Sequence, residues 1–189
     1  MPDLLTSARR FPDRHRSLHV VFGHSWSRLM SHEQECLRRL AVVAGPISIE
    51  AAEAIAGATK LVLQRLVAQS MLETPAKGRY ALHPLVRAFA LEKLVEAGEF
   101  DEISARHFDY FSRFVVSRLP ELHGAEQFVA LRQLEEQFAN IRAAWRYGAE
   151  HAPAGILEML LDGIIWLCQA RTWHGIGIEV LQLSQGNKL

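Results

Sequence analysis

The chain has 189 residues, of which 49% are hydrophobic and 22% charged, and its 21 Lys and Arg balance its 21 Asp and Glu. This composition predicts a globular protein with one large core or two small ones and argues against a strongly basic nucleic-acid module, although a local basic patch remains open. No apolar run is long enough to span a bilayer and no signal peptide is recognisable, so we predict a cytoplasmic protein. Cys36 and Cys168 lie in separate apolar helical patterns, which predicts buried free thiols rather than a disulfide.

The first part of the chain predicts a linker followed by helices. Residues 1–17 are polar and basic, and we interpret them as a linker or a remnant of an upstream helical domain. A helix is predicted over 18–29, and another begins at Ser31, where Ser31 and Gln34 fit a capping box. Gly45-Pro46 ends that helix.

Two short helices and a hairpin follow. Ser48 and Thr59 are the predicted N-caps of the helices, and Gly57 ends the first of them. Strands near 71–74 and over 79–82 flank a predicted turn at 75–78. Helices followed by a two-stranded hairpin predict a winged-helix domain over 18–98.

The junction after the hairpin carries a histidine. His83 occupies the predicted N-cap of the next helix, and Pro84 falls at its first position, where a missing N–H costs nothing. A histidine held there either caps the helix or also contacts a ligand or a neighbouring domain. Arg87, one turn further on, is a second candidate for such a contact or a solvated charge.

The remainder of the chain, 99–189, predicts a helical array. One apolar stripe begins near Ile103 and is expected to stop at Pro120, and another runs continuously from Phe128 to Trp145. Pro153 opens a third helix, and a last one is expected over 172–183. Antiparallel pairs with short connections indicate a TPR-like domain, which we expect to be cut short at residue 189.

No enzyme signature is present in the sequence. The phosphate-binding loop, the nucleophile elbow and the common zinc motifs are missing, so we assign no catalytic residue. The nine histidines are scattered, and His15, His19 and His24 lack the partners of a metal cage. We therefore predict no metal site and no cofactor in this chain.

A winged helix also raises the alternative of DNA binding. The candidate contacts lie on the helix capped by Thr59 and in the wing, and they are Lys60, Gln64, Arg65, Lys77 and Arg79. Four cations are few for neutralising DNA phosphates. The low charge therefore favours a winged helix that packs against other protein surfaces rather than one that binds DNA.

Six segments, taken in order, resemble one family. They are Arg14–Leu18, His24–Trp26, Leu37–Val43, Glu50–Gly57, Leu66–Leu72 and Gly78–Leu94. They resemble the winged-helix region of bacterial STAND-type signalling ATPases, relatives of the NB-ARC proteins. Leu134–Trp145 is similar to the first helices of the TPR-like array of many bacterial members.

The resemblance implies a regulatory fragment of a multidomain ATPase. Leu82-His83-Pro84 is similar to the Met-His-Asp motif, whose histidine contacts the β-phosphate of ADP, although Pro84 replaces the acid. ADP or ATP with Mg²⁺ would bind in the full-length parent, to an upstream nucleotide-binding domain of the same polypeptide. The implied partners are that domain, a protein or small-molecule inducer at the helical array, and further copies on activation. A DNA-binding winged helix and a plain interaction scaffold remain alternatives.

Overall fold

The computed structural model describes residues 22–173, which form mainly α-helices and one small antiparallel sheet, as the sequence predicts. Within this range, no helix is long and apolar enough to cross a membrane. The chain divides into two compact units, whose described parts are 22–41 with 48–100, and 42–47 with 101–173. The predicted linker, the start of the predicted first helix and nearly all of the predicted last helix lie outside the described residues.

The first unit has the element order of a winged helix. Its described part begins with a helix over 22–27. Its further elements are α1 (Ser31–Arg39), α2 (Ile49–Ala56), α3 (Lys60–Ala68), β1 (Glu73–Ala76), β2 (Arg79–Ala81) and α4 (Pro84–Glu96), with a 3₁₀ turn at Leu40–Val42 after α1. Helix α1 packs against α2, α3 and α4 and forms the centre of the unit.

Local hydrogen bonds fix where these helices begin. Ser48 Oγ accepts from the Ala51 N–H at 3.3 Å and Thr59 Oγ1 from the Val62 N–H at 3.4 Å, which confirms both predicted caps. The predicted box at Ser31 and Gln34 is wrong by one position: Met30 is the N-cap, and its N–H donates to Glu33 Oε2 at 2.9 Å. The Glu33 carboxylate in the first turn also interacts favourably with the positive end of the helix dipole, which stabilises a helix that starts here.

The hairpin is shifted from its predicted position. Glu73 pairs with Ala81 and Ala76 with Arg79, so Pro75 lies in a strand rather than in the turn. The turn is formed by Lys77 and Gly78, and the φ of 72° at Gly78 is one that glycine adopts without steric cost. Pro75 is tolerated because a two-stranded sheet consists only of edge strands.

The core of the first unit is aliphatic and aromatic. Phe89 of α4 is 1% exposed and meets the edge of the Trp26 ring, with 5.7 Å between centroids. The other fully buried side chains of this unit include Leu37, Leu40, Ile55, Leu63, Leu66 and Leu94. Trp26 itself is half-buried rather than enclosed.

The second unit is entirely helical within the described residues. Its helices are α5 (Phe100–Val116, of which Phe100 belongs to the first unit), α6 (Leu119–Leu122), α7 (Gln127–Glu136), α8 (Phe138–His151) and α9 (Ala154–Ala170). Helix α7 packs against α6, α8 and α9, and α8 packs against α9. Among the described residues, Trp145 is the largest fully buried side chain. Cys36 in the first unit and Cys168 in the second are buried free thiols, as predicted.

Two predictions for this unit are wrong. Pro120 does not stop a helix: α5 already ends at Val116, and Pro120 lies in the first turn of α6, where no N–H is needed. The stripe from Phe128 to Trp145 is not one helix, because the chain breaks at Gln137 between α7 and α8. Phe128, at the start of that stripe, is 82% exposed.

A short segment from between α1 and α2 belongs to the second unit. Asn140 of α8 is fully buried, and its Oδ1 accepts from the N–H groups of Ala44 at 2.8 Å and Gly45 at 3.0 Å. Its Nδ2 donates to Gln137 Oε1 at 3.1 Å, and Gln137 Nε2 donates to the Pro46 carbonyl at 3.2 Å. The two amides thereby satisfy backbone groups that would be costly to leave unpaired.

Candidate functional site

The junction between β2 and α4 holds His83 in a defined orientation. His83 is the N-cap, with φ −57° and ψ 140°, and Pro84 is at the first helical position, as predicted. His83 Nδ1 accepts from the Leu85 N–H at 3.2 Å. Since one ring nitrogen of a neutral imidazole accepts and the other donates, this bond assigns the proton to Nε2. The exposed ring therefore offers one N–H donor beside a fixed backbone corner.

Arg87 has a structural contact that the sequence did not indicate. Its Nε donates to the carbonyl of Ala41 at 2.9 Å, and burial lowers the pKa of its guanidinium. The reading of Arg87 as a solvated charge is therefore wrong: it connects α4 to the end of the α1 segment. This contact involves a backbone atom 46 residues away, which no local pattern reveals.

Helix α3 presents a polar face with one large apolar side chain. Lys60 and Gln64 are exposed and lie one turn apart, so they occupy the same side of the helix. Leu61, beside Lys60, is 62% exposed. Gln69 follows the last residue of the helix and is half-buried.

Arg65 shares this face, but an acid compensates part of its charge. Its Nη1 lies 3.4 Å from Oε1 of Glu33, whose side chain is only 2% exposed. Glu33 is held in turn by the Met30 N–H. Sequence reasoning missed Glu33 as a partner, because α1 and α3 meet only in the folded unit. Arg65 is therefore less available to a phosphate than its exposure suggests.

The two candidate cations of the wing differ. Lys77 is exposed in the turn, whereas Arg79 is half-buried on β2. A hydrogen bond from Ser48 lowers the pKa of Glu50, and the charge of Arg79 lowers it further. Among the five DNA-binding candidates, Lys60 and Lys77 are thus the cations without an ion pair in the described part of the chain.

Residues 22–173 contain no group of three or more His, Cys, Asp or Glu that could hold a metal ion. Of the three clustered histidines, His24 is exposed, while His15 and His19 lie outside the described residues.

Comparison with known proteins gives one class of relative. Three proteins from Mycobacterium bovis and two strains of Mycobacterium tuberculosis, each named "Putative HTH-type transcriptional regulator", are 30% identical to this chain over 176 residues. The alignment covers 86% of this chain and 20% of each relative, so the chain spans about a fifth of their length. No family model and no solved structure matches the chain. The chain is therefore similar to proteins named as helix-turn-helix regulators, and its first unit has a compatible fold.

Proposed function

We propose that this chain is a regulatory region of a longer, cytoplasmic transcription regulator of the helix-turn-helix class. The observation that carries this proposal is the 30% identity over 86% of the chain to relatives of which it covers only 20%. A winged-helix order in the first unit and a helical second unit fit a region that relays a signal. The chain itself is proposed to be non-catalytic.

The relatives' name favours DNA binding, and the candidate contact surface for it is formed by α3 and the wing. The supporting geometry is the exposed pair of Lys60 and Gln64 on α3, with Lys77 in the wing. An amide side chain on a recognition helix can read a base edge, and lysines neutralise phosphates. With Arg65 paired to Glu33, the interface would make few phosphate contacts and bind weakly.

Anisotropy of a labelled duplex of about 30 base pairs, at about 50 mM salt, tests DNA binding by the chain. We expect the double variant Lys60→Ala/Lys77→Ala to flatten the dependence of log affinity on log salt by roughly 1.8, because two phosphate contacts are lost. Lys93→Ala is the matched control, since Lys93 lies on α4 and pairs with Glu96 at 2.6 Å. An unchanged salt slope in the double variant, or no binding by the wild type, would reject this function.

A second candidate is a nucleotide-dependent switch of the STAND type, and the geometry at His83 favours it. The Leu85 cap leaves the Nε2–H of this exposed ring without a partner among residues 22–173. Such a donor suits the β-phosphate of ADP held by an upstream nucleotide-binding domain, with Mg²⁺ and ATP bound there in the active state. The second unit would receive a protein or small-molecule inducer, and activation would favour self-association. The parent would then be an ATPase.

ADP co-purification with a polypeptide extended upstream tests the switch. His83→Ser keeps an oxygen that caps α4 but removes the imidazole Nε2–H donor. We therefore expect ADP retention to fall about tenfold or more while folding is preserved. His32→Ser, at an exposed histidine of α1 that lines no proposed site, is the control. Equal ADP retention by His83→Ser and wild type would make His83 a cap alone.

A further inference from the structure

The second unit contains a groove that is separate from the candidate DNA-contacting face and from His83. It has a volume of about 560 Å³ and lies between α6 and the C-terminal half of α9. Leu119 and Pro120 supply apolar surface on one side, and Asp162, Trp166 and Gln169 line the other. A volume of this size accommodates a small organic ligand.

The aromatic wall of the groove is held in place. The ring of Trp166 is half-buried and meets the ring of His123 edge to face, with centroids 5.1 Å apart and planes at 89°. His123 also lines the groove. An indole fixed by a second ring presents its π system at little entropic cost, and indole is the side chain that attracts cations most strongly.

The charge of the groove is negative. Asp162 is exposed and has no ion-pair or hydrogen-bond partner among the described residues, so its carboxylate is available to a ligand. Gln169 lies in the last turn of α9, and Trp166 lies about one turn before it. Arg171, which follows the helix, is engaged with Glu135 at 2.6 Å.

We propose that this groove binds a small organic cation, a protonated alkylamine or guanidinium. The charged head would lie between the Asp162 carboxylate and the Trp166 ring, and the alkyl part would contact Leu119 and Pro120. A neutral ligand of the same shape would gain the apolar contact only. None of the groove residues belongs to the winged helix, so the test of this site is separate from the tests of DNA binding and of ADP retention.

The test compares n-butylamine with n-butanol, which match in size and differ in charge at neutral pH. The indole N–H signal of Trp166, assigned with a Trp166→Phe variant, is followed by NMR as each ligand is added to the whole chain. We expect a saturable shift with butylamine and an affinity for butanol at least about fivefold weaker. Equal affinities for the two ligands, or no saturable shift with butylamine, would overturn the proposal.

Two variants identify the charge responsible. Asp162→Asn keeps the shape of the groove, and we expect it to weaken butylamine binding about fivefold or more. Glu158→Gln removes a charge one turn away on α9 that does not line the groove, and we expect binding within about twofold of wild type. Similar losses in both variants would mean nonspecific attraction and would also reject the site.

The source of the cation is resolved by a third ligand. N-acetyl-lysine methylamide carries the same ammonium on a peptide unit. Tighter binding than butylamine would assign the groove to a basic side chain of a protein partner, and weaker binding would assign it to a free amine. Either result supports the proposed cation site, provided that binding depends on Asp162.

Discussion

The carboxylate of Glu99 is the most strongly perturbed acid among the described residues. Arg38 donates to it at 2.7 and 3.2 Å, and Arg39 at 3.0 Å. These hydrogen bonds, with that of Arg38 the largest cause, lower the pKa of Glu99 to about 2. The site lies within the first unit, between α1 and the residues that follow α4.

We predict that Glu99→Gln destabilises the protein by about 1–2 kcal/mol near neutral pH, after allowance for partial solvent screening. The pKa of Glu99 is lower in the folded than in the unfolded state, so its contribution is complete above about 4.5 and is lost as the pH falls toward 2. Urea denaturation from pH 7 to pH 3 would show the wild-type advantage shrinking. Glu96→Gln, which removes an exposed acid paired with Lys93, should show almost no such trend. A Glu99→Gln difference that is constant with pH would contradict the prediction.

Single residues also show what sequence reasoning can and cannot reach. The caps at Ser48, Thr59 and His83 were predictable, because a capping side chain bonds a backbone N–H only two or three positions further along the chain. The ion pair of Arg65 with Glu33 was not, because it joins residues 32 apart that meet only when two helices pack. The candidate DNA-contacting face therefore carries less available charge than its composition predicts.

At the level of elements, α9 approaches α5 closely at one glycine. A Cβ placed on Gly163 would collide with Cγ1 of Val115, a β-branched side chain with little rotamer freedom. Gly155, near the start of the same helix, has no neighbouring atom within 4 Å of such a Cβ.

We predict that Gly163→Ala destabilises the second unit by about 1–3 kcal/mol through overpacking. Gly155→Ala should instead be neutral or stabilising by up to about 1 kcal/mol, because alanine is the better helix former and the site is open. Thermal unfolding followed by circular dichroism compares the two. Equal effects of the two substitutions would show that α9 does not pack on α5 through Gly163.

The elements themselves were predicted with uneven success. The break between α7 and α8 was invisible because Gln137, with φ −102° and ψ 7°, stays close enough to helical geometry for the apolar spacing to continue across it. The shifted hairpin has a similar cause, since Pro75 suits a turn and an edge strand equally well. Local patterns thus found the existence of these elements more reliably than their ends.

At the scale of the whole molecule, the mainly helical class followed from the periodicity of the sequence, whereas the assignment of 42–47 to the second unit did not. The partners of this segment, Gln137 and Asn140, lie 91 to 96 residues further along the chain. The predicted domain boundary near residue 99 rests on the order of predicted helices and strands along the chain, which cannot detect a segment that leaves one unit and returns.

Because segment 42–47 belongs to the second unit, its amide hydrogens exchange with that unit. The N–H groups of Ala44 and Gly45 are bonded to a side chain of α8 rather than to any group of the winged helix. Their rate of deuterium uptake therefore reports the opening of the second unit, although in sequence they lie between two helices of the first. Two neighbouring peptide signals, one from α2 and one from this segment, would separate the local stabilities of the two units within a single labelling experiment.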